Sequence, residues 1–180
     1  RRDTLMRAFA DPRRHTGWNN RPDPAKRIRL GYVSPDFREH VAMTLFEAVM
    51  ARHDRANFEV FVYDATPIRD AVNRRLRAHA DAWTEIDSMD TDAAAGRIRD
   101  DAIDVLVDLA GHTAGNRLMV FARKPAPVQA TWLAYPGSTG LPEMDWLVSD
   151  PWTSPPGNDA LVSEAVWRMP DTRFCFLPPA

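Results

Sequence analysis

Two histidines and a few carboxylates stand where chemistry would be easiest to build. Asp36 and His40 lie four residues apart in Ser34-Pro35-Asp36-Phe37-Arg38-Glu39-His40, a turn that follows an apolar run. An imidazole there can act as a general base, or hydrogen-bond an acceptor hydroxyl or a diphosphate. It can equally be a helix-start histidine that satisfies backbone groups. His112 sits in Gly111-His112-Thr113, where the glycine permits a tight turn. Polar side chains there can touch a sugar or simply close the turn. Asp108, just before, is either ionised at a crevice or a cap on that turn. Gly137-Ser138-Thr139-Gly140 resembles a loop whose amides approach a ligand, yet it has no Lys beside it and no helix signal after it.

These segments share one placement, each following a strand-like run. Ile28–Val33 reads as a strand, and Thr44–Arg52 follows with helical spacing at Leu45, Phe46, Val49 and Met50. Phe58–Tyr63 is a second strand, Ile68–Ala80 a basic amphipathic helix, and Trp83–Ile86 a short third strand. Asp90 or Thr91 caps a helix carrying Ala94, Ala95 and Ile98. Ile103–Leu109, dense in branched apolar residues, fits a strand buried on both faces. A helix over Asn116–Ala122, strands at Val128–Leu133 and Trp146–Val148, and a last strand at Val166–Met169 complete the pattern. Strands alternating with helices predict an α/β, Rossmann-like, doubly wound, mostly parallel sheet. Ligands bind such sheets beyond the carboxyl ends of the strands, which is where Asp36, His40, His112 and Thr113 fall.

Composition narrows the classes. The 180 residues suit one domain, predicted as 27–180 behind a basic leader, 1–26, of helix or linker. The formal charge of −2 offers no electrostatic reason for a nucleic-acid partner, and no apolar run nears the ~20 residues of a membrane span. The leader, with Pro12, Pro22 and Pro24, is expected to be solvated. Ten of the fifteen prolines lie from Pro125 onward, so the tail is expected to run irregularly along a sheet edge. The single Cys175 excludes an intrachain disulfide and fits a reducing, cytoplasmic setting; between Phe174 and Phe176 it is expected to be a small buried hydrophobe. GxGxxG after the first strand, GxxxxGK[ST], GxSxG and metal-spaced Cys/His clusters are all missing from the sequence. The start at Arg1 suggests a piece of something longer.

The same segments resemble glycosyltransferase family 41, the O-GlcNAc transferase/SPINDLY family. The likeness is carried by Arg29-Leu30-Gly31-Tyr32-Val33-Ser34-Pro35-Asp36-Phe37 with His40, by Phe58–Tyr63, and by Ile103–Thr113. It is most specific in Arg123-Lys124-Pro125-Ala126-Pro127-Val128-Gln129-Ala130-Thr131-Trp132-Leu133-Ala134-Tyr135-Pro136-Gly137-Ser138-Thr139-Gly140. The resemblance implies the N-terminal lobe of a GT-B fold, with tandem TPR repeats upstream and a nucleotide-binding C-terminal lobe downstream, both absent here. It implies inverting transfer of GlcNAc or fucose, without a metal or other cofactor, from UDP-GlcNAc or GDP-fucose to Ser/Thr of acceptor proteins. It assigns Asp36 and His40 to the catalytic centre and Leu133, Ala134, Tyr135 and Pro136 to the donor-sugar pocket. Two departures stand out: Val41-Ala42 where some relatives have Pro-Thr after the His, and Ala134 in place of a common glycine. The fragment alone is expected to be inactive. The alternatives are a degenerate family member or a protein-binding α/β module.

Overall fold

The computed structural model describes residues 10–176. Seven strands form one sheet, all parallel: β1 (Ile28–Ser34), β2 (Phe58–Asp64), β3 (Ala82–Glu85), β4 (Val105–Asp108), β5 (Val128–Thr131), β6 (Trp146–Ser149) and β7 (Ala165–Arg168). Their order is β3-β2-β1-β4-β5-β6-β7. The chain builds outward from β1 in one direction, then returns to pair β4 against its other side. A crevice therefore opens beyond the carboxyl ends of β1 and β4, the switch point where doubly wound sheets bind ligands.

Helices close both faces. On one face, α1 (Val41–Met50) and α2 (Ala71–Arg77) cover Tyr32, Val60, Val62 and Val107 with Met43, Phe46, Met50 and Leu76. On the other, α3 (Thr91–Asp100) and α4 (Leu118–Ala122) cover Val33, Phe61, Tyr63 and Leu106 with Ala94, Ala95, Ile98 and Phe121. A sheet buried on both sides reads as near-continuous apolar strands, as the sequence suggested.

Several expected boundaries move for local reasons. The second helix starts at Ala71 rather than Ile68, because the Asp70 carboxylate accepts the Asn73 amide as a cap (2.9 Å). It ends early, as Ala78, His79 and Ala80 donate to carbonyls three residues back. The proline-rich tail carries both strands predicted for it, at Trp146–Ser149 and Ala165–Arg168. Its two strands extend the parallel ladder, and β7 is the edge. Cys175 is exposed rather than buried.

The leader, over its described residues 10–26, contains no helix and is not a free linker. Lys124, at φ +52, ends α4 and leaves carbonyls that need donors. The His15 amide reaches Arg123 O (2.8 Å) and the Trp18 indole reaches Lys124 O (3.1 Å). Asn20 donates to Ala102 O (2.9 Å) and to the Asp104 carboxylate (2.7 Å), while Asp11 pairs with Arg123. Prolines keep the segment out of a helix, but its polar side chains fit unpaired backbone groups beneath the sheet. No described helix is long and apolar enough to cross a membrane.

At the sheet's centre Gly31 is a packing requirement. A Cβ there would lie 2.9 Å from Leu106 Cδ1 and 3.1 Å from both Ile103 Cγ2 and Tyr63 Cε2. Gly31→Ala is expected to lower unfolding free energy by about 1–3 kcal/mol through overpacking. Urea titration would show a lower midpoint at unchanged slope; an unchanged midpoint would mean the neighbours yield freely.

Candidate functional site

The loop after β1 is built from the strand end upward. Ser34 Oγ accepts the Asp36 amide (3.0 Å), folding the chain back on itself. Phe37 is fully buried, and its carbonyl takes a hydrogen bond from Asn73 of α2 (2.7 Å). That anchor leaves Asp36 at 5% exposure with Arg38 Nη2 3.3 Å from its carboxylate. His40 then adopts an extended backbone and caps α1, its Nδ1 accepting the Ala42 amide (3.2 Å).

That cap decides the tautomer. A ring nitrogen that accepts carries no proton, so the neutral imidazole is protonated at Nε2. Nε2 lies 3.8 Å from Asp36 Oδ1 on a side chain 30% exposed. In this arrangement His40 offers a hydrogen-bond donor beside a carboxylate. To act as a base through Nε2 it would have to give up the Ala42 amide. The sequence left helix cap and functional imidazole as alternatives, and the geometry lets one ring do both with different nitrogens.

The loop after β4 is held by Asp108, which is wholly buried. Its carboxylate accepts the Ala110 amide (3.1 Å), the Gly111 amide (2.8 Å) and the Thr131 hydroxyl (2.7 Å). Burial raises its pKa above the usual carboxylate value, against the opposing pull of these donors. Asp108 is thus the turn's cap. Thr113 Oγ1 donates back to Ala110 O (2.9 Å), another bond within the turn. His112 is exposed, its Nε2 3.1 Å from Thr139 O, with its ring edge-on to Tyr135 at 5.3 Å.

Tyr135 occupies a slot made by two glycines. A Cβ on Gly111 (φ +56) would fall 2.4 Å from Tyr135 Cβ, and one on Gly137 would fall 2.9 Å from Cε1. Leu133, two residues earlier, is buried at φ +83, a left-handed conformation costing about 1–3 kcal/mol for a branched residue. Ala134 is half-buried and Pro136 exposed. The β1 and β4 loops meet at Gly115 (φ +76), where a Cβ would sit 3.2 Å from Pro35. Asp36, Arg38 and His40 thus follow β1, and Gly111, His112 and Tyr135 follow the neighbouring strands β4 and β5, at the carboxyl-end edge where doubly wound sheets bind ligands.

The Gly137–Gly140 loop is occupied by the protein's own anion. Glu164, buried, accepts the Thr139 amide (2.7 Å), the Thr139 hydroxyl and the Ser138 hydroxyl (2.8 Å). A carboxylate already stands where a phosphate would. Neither Glu164 nor Arg38 was singled out from sequence. Arg38 could have been, from its spacing to Asp36; Glu164 is 25 residues from Thr139 and had no signal. A groove of about 720 Å³ starts at His40 and runs between α1 and α2 past Met43, Thr44, Glu47 and Arg75. A more apolar cavity of about 670 Å³ lies toward the amino ends of β1 and β2, against Leu30, Phe58, Phe174 and Phe176, away from these loops. No group of three or more His, Cys, Asp or Glu suited to a metal occurs among the described residues.

Comparison with known proteins agrees with this layout. The sequence model described as glycosyl transferase family 41 matches residues 11–176. A probable UDP-N-acetylglucosamine–peptide N-acetylglucosaminyltransferase SPINDLY from Arabidopsis thaliana is 39% identical over 168 residues, covering 91% of this chain and 18% of the relative. The probable transferase SEC of the same organism is 37% identical over 151 residues, covering 83% of this chain and 15% of that protein. Among solved structures, a mutant O-GlcNAc transferase of Thermobaculum terrenum superposes with a TM-score of 0.90 at 40% identity, covering 99% of this chain and 34% of that one. The chain thus spans about a fifth of the length of these curated relatives.

Two glycines in left-handed turns separate strain from contact. Gly140 (φ +74) has open space where a Cβ would go, so Gly140→Ala is expected to cost about 1–2 kcal/mol from backbone strain alone. Gly111→Ala adds the collision with Tyr135 and is expected to cost at least about 1 kcal/mol more. Equal losses in chemical denaturation would mean that the Tyr135 slot constrains nothing.

Proposed function

The chain belongs to glycosyl transferase family 41, and from that premise we propose that it is the N-terminal lobe of an inverting protein O-glycosyltransferase. In this reading a sugar, GlcNAc or fucose, passes from a nucleotide sugar to a Ser/Thr hydroxyl. Relatives named for peptide N-acetylglucosaminyl transfer favour UDP-GlcNAc as donor. A second lobe would close over the crevice and hold the nucleotide, tandem helical repeats would present the acceptor, and the protein would work in the cytoplasm. The 180-residue piece alone would be inactive.

The observation that carries the reading is His40, whose Nε2–H stands beside buried Asp36 at the switch-point crevice. Transfer forms a bond between acceptor oxygen and anomeric carbon, breaks the bond to the diphosphate, and passes the hydroxyl proton to the departing diphosphate. Negative charge grows on the leaving oxygen, and preorganised donors stabilise such charge most effectively where water is excluded. His40 hydrogen-bonds the sugar or the acceptor through Nε2–H, while Asp36 orients it and Arg38. Leu133, Ala134, Tyr135 and Pro136 form the donor-sugar wall, with His112 and Thr113 at its edge. No metal takes part in this scheme; cationic groups and helix N-termini meet the diphosphate.

A second reading, a degenerate member that binds protein without catalysis, draws on one feature: His40 is also a helix cap. Asparagine is among the best N-caps, so His40→Asn keeps the cap and removes the imidazole. In the longer protein, assayed against UDP- and GDP-sugars with this chain as control, His40→Ala and His40→Asn are both expected to lower turnover about 100-fold. The melting temperature of His40→Asn should stay near that of the parent. Full turnover by His40→Asn would reduce His40 to a cap, and no turnover with any donor would favour the degenerate reading.

A further inference from the structure

Leu133 adopts a conformation that a buried leucine holds only when its surroundings insist on it. Its neighbours supply part of that hold: Trp132 N–H donates to Asp108 O (2.9 Å) and Ala134 N–H to Leu109 O (3.3 Å). The rest comes from one residue forty positions away. Arg173 Nη1 donates to Leu133 O at 2.9 Å, and Arg173 O accepts the Trp132 indole N–H at 2.8 Å. The same residue therefore grips the chain on both sides of the Cα of Leu133.

Arg173 is itself fixed. Its amide donates to Asp150 Oδ2 (2.9 Å), and its guanidinium lies 4.4 Å from the Phe174 ring centroid. The residue is only 6% exposed, and Nε has no hydrogen-bond partner among the described residues. Burying a charged group with a donor unmet is unfavourable, and a packed apolar side chain would fill the space at less cost. What an apolar side chain cannot do is hold a carbonyl in one direction. A charge-assisted hydrogen bond to a backbone oxygen does so with both strength and geometry.

We propose that Arg173 is a positioning residue for the loop after β5: it locks Leu133 in its left-handed state and so delivers Tyr135 into the Gly111–Gly137 slot. The proposal rests on the reading of 133–136 as the donor-sugar wall, and its test separates the two. By hydrogen exchange, Arg173→Gln should speed the amides of Leu133, Ala134, Tyr135 and Gly137 at least tenfold while those of β1 and β4 stay protected. Adding Leu133→Gly, which takes φ +83 without strain, should shrink that difference. In the longer protein Arg173→Gln should raise donor KM about tenfold and leave acceptor KM within twofold.

Exchange that is unchanged at the loop, or that rises equally across the whole sheet, would overturn the positioning role. A loosened loop with unchanged donor KM would uphold the lock and discard the donor-wall reading. Should Arg173→Gln fail to fold, Arg173→Lys, which keeps the charge and one donor on a long stem, reads the same loop. An increase of about threefold is expected there, and none would overturn the proposal.

Discussion

Where a parallel sheet ends, its ladder stops and the amides of each outgoing loop lose their partners. This protein meets that need with acidic or hydroxyl side chains at the strand ends. Ser34 accepts the Asp36 amide after β1, and Asp64 accepts the Thr66 amide and the Asn73 side chain after β2. Asp108 accepts the Ala110 and Gly111 amides after β4, and Asp150 accepts the Trp152, Thr153 and Arg173 amides after β6. An ionised carboxylate takes several donors at once, so one buried side chain can set a whole turn. The positions of His40, His112 and the loop after β5 all depend on this rim.

The rim also explains why buried acids near a crevice are poor guides to chemistry. Burial raises the pKa of Asp64 and Asp108, yet each is engaged by donors of its own loop and of a neighbouring element, Asn73 for Asp64 and Thr131 for Asp108. Asp36 differs in kind. Its carboxylate meets Arg38 and the Nε2 side of His40, groups that reach toward open space. Glu164 is a third case, a carboxylate that fills the Ser138–Thr139 loop from within and makes it rigid.

Strain gathers at the same edge. Gly111 and Gly115 use left-handed conformations at little expense, while Leu133 does so against its own side chain. Such arrangements survive only when several contacts agree, and here they come from β4, β5 and the segment after β7. The loops of the crevice are therefore coupled to the far end of the chain through Trp132 and Arg173. On the proposed reading of residues 133–136 as a donor-sugar wall, such a hold would fix the orientation of the sugar.

Local pattern carried the fold: alternating apolar runs, the density of Ile103–Leu109 and the placement of polar residues after strands foretold a doubly wound sheet and its crevice. Those features depend on side-chain periodicity, which is written along the chain. The family likeness pointed to Asp36, His40 and the Trp132–Gly140 stretch for the same reason, as contiguous motifs. Tertiary contacts decided what no window of sequence contains. The leader is pinned to the sheet because Asn20 meets Asp104 across 84 positions, and the open edge of β5 sets where the strands of the tail join the ladder. Which nitrogen of His40 bears its proton and that Asp108 is a cap turn on amides two or three residues away, whose direction only the folded backbone sets. Glu164 reaches the glycine loop across 25 positions, and Arg173 holds Leu133 across 40. Hydrogen-bond direction and burial are properties of neighbours in space, and only the folded chain brings those neighbours together.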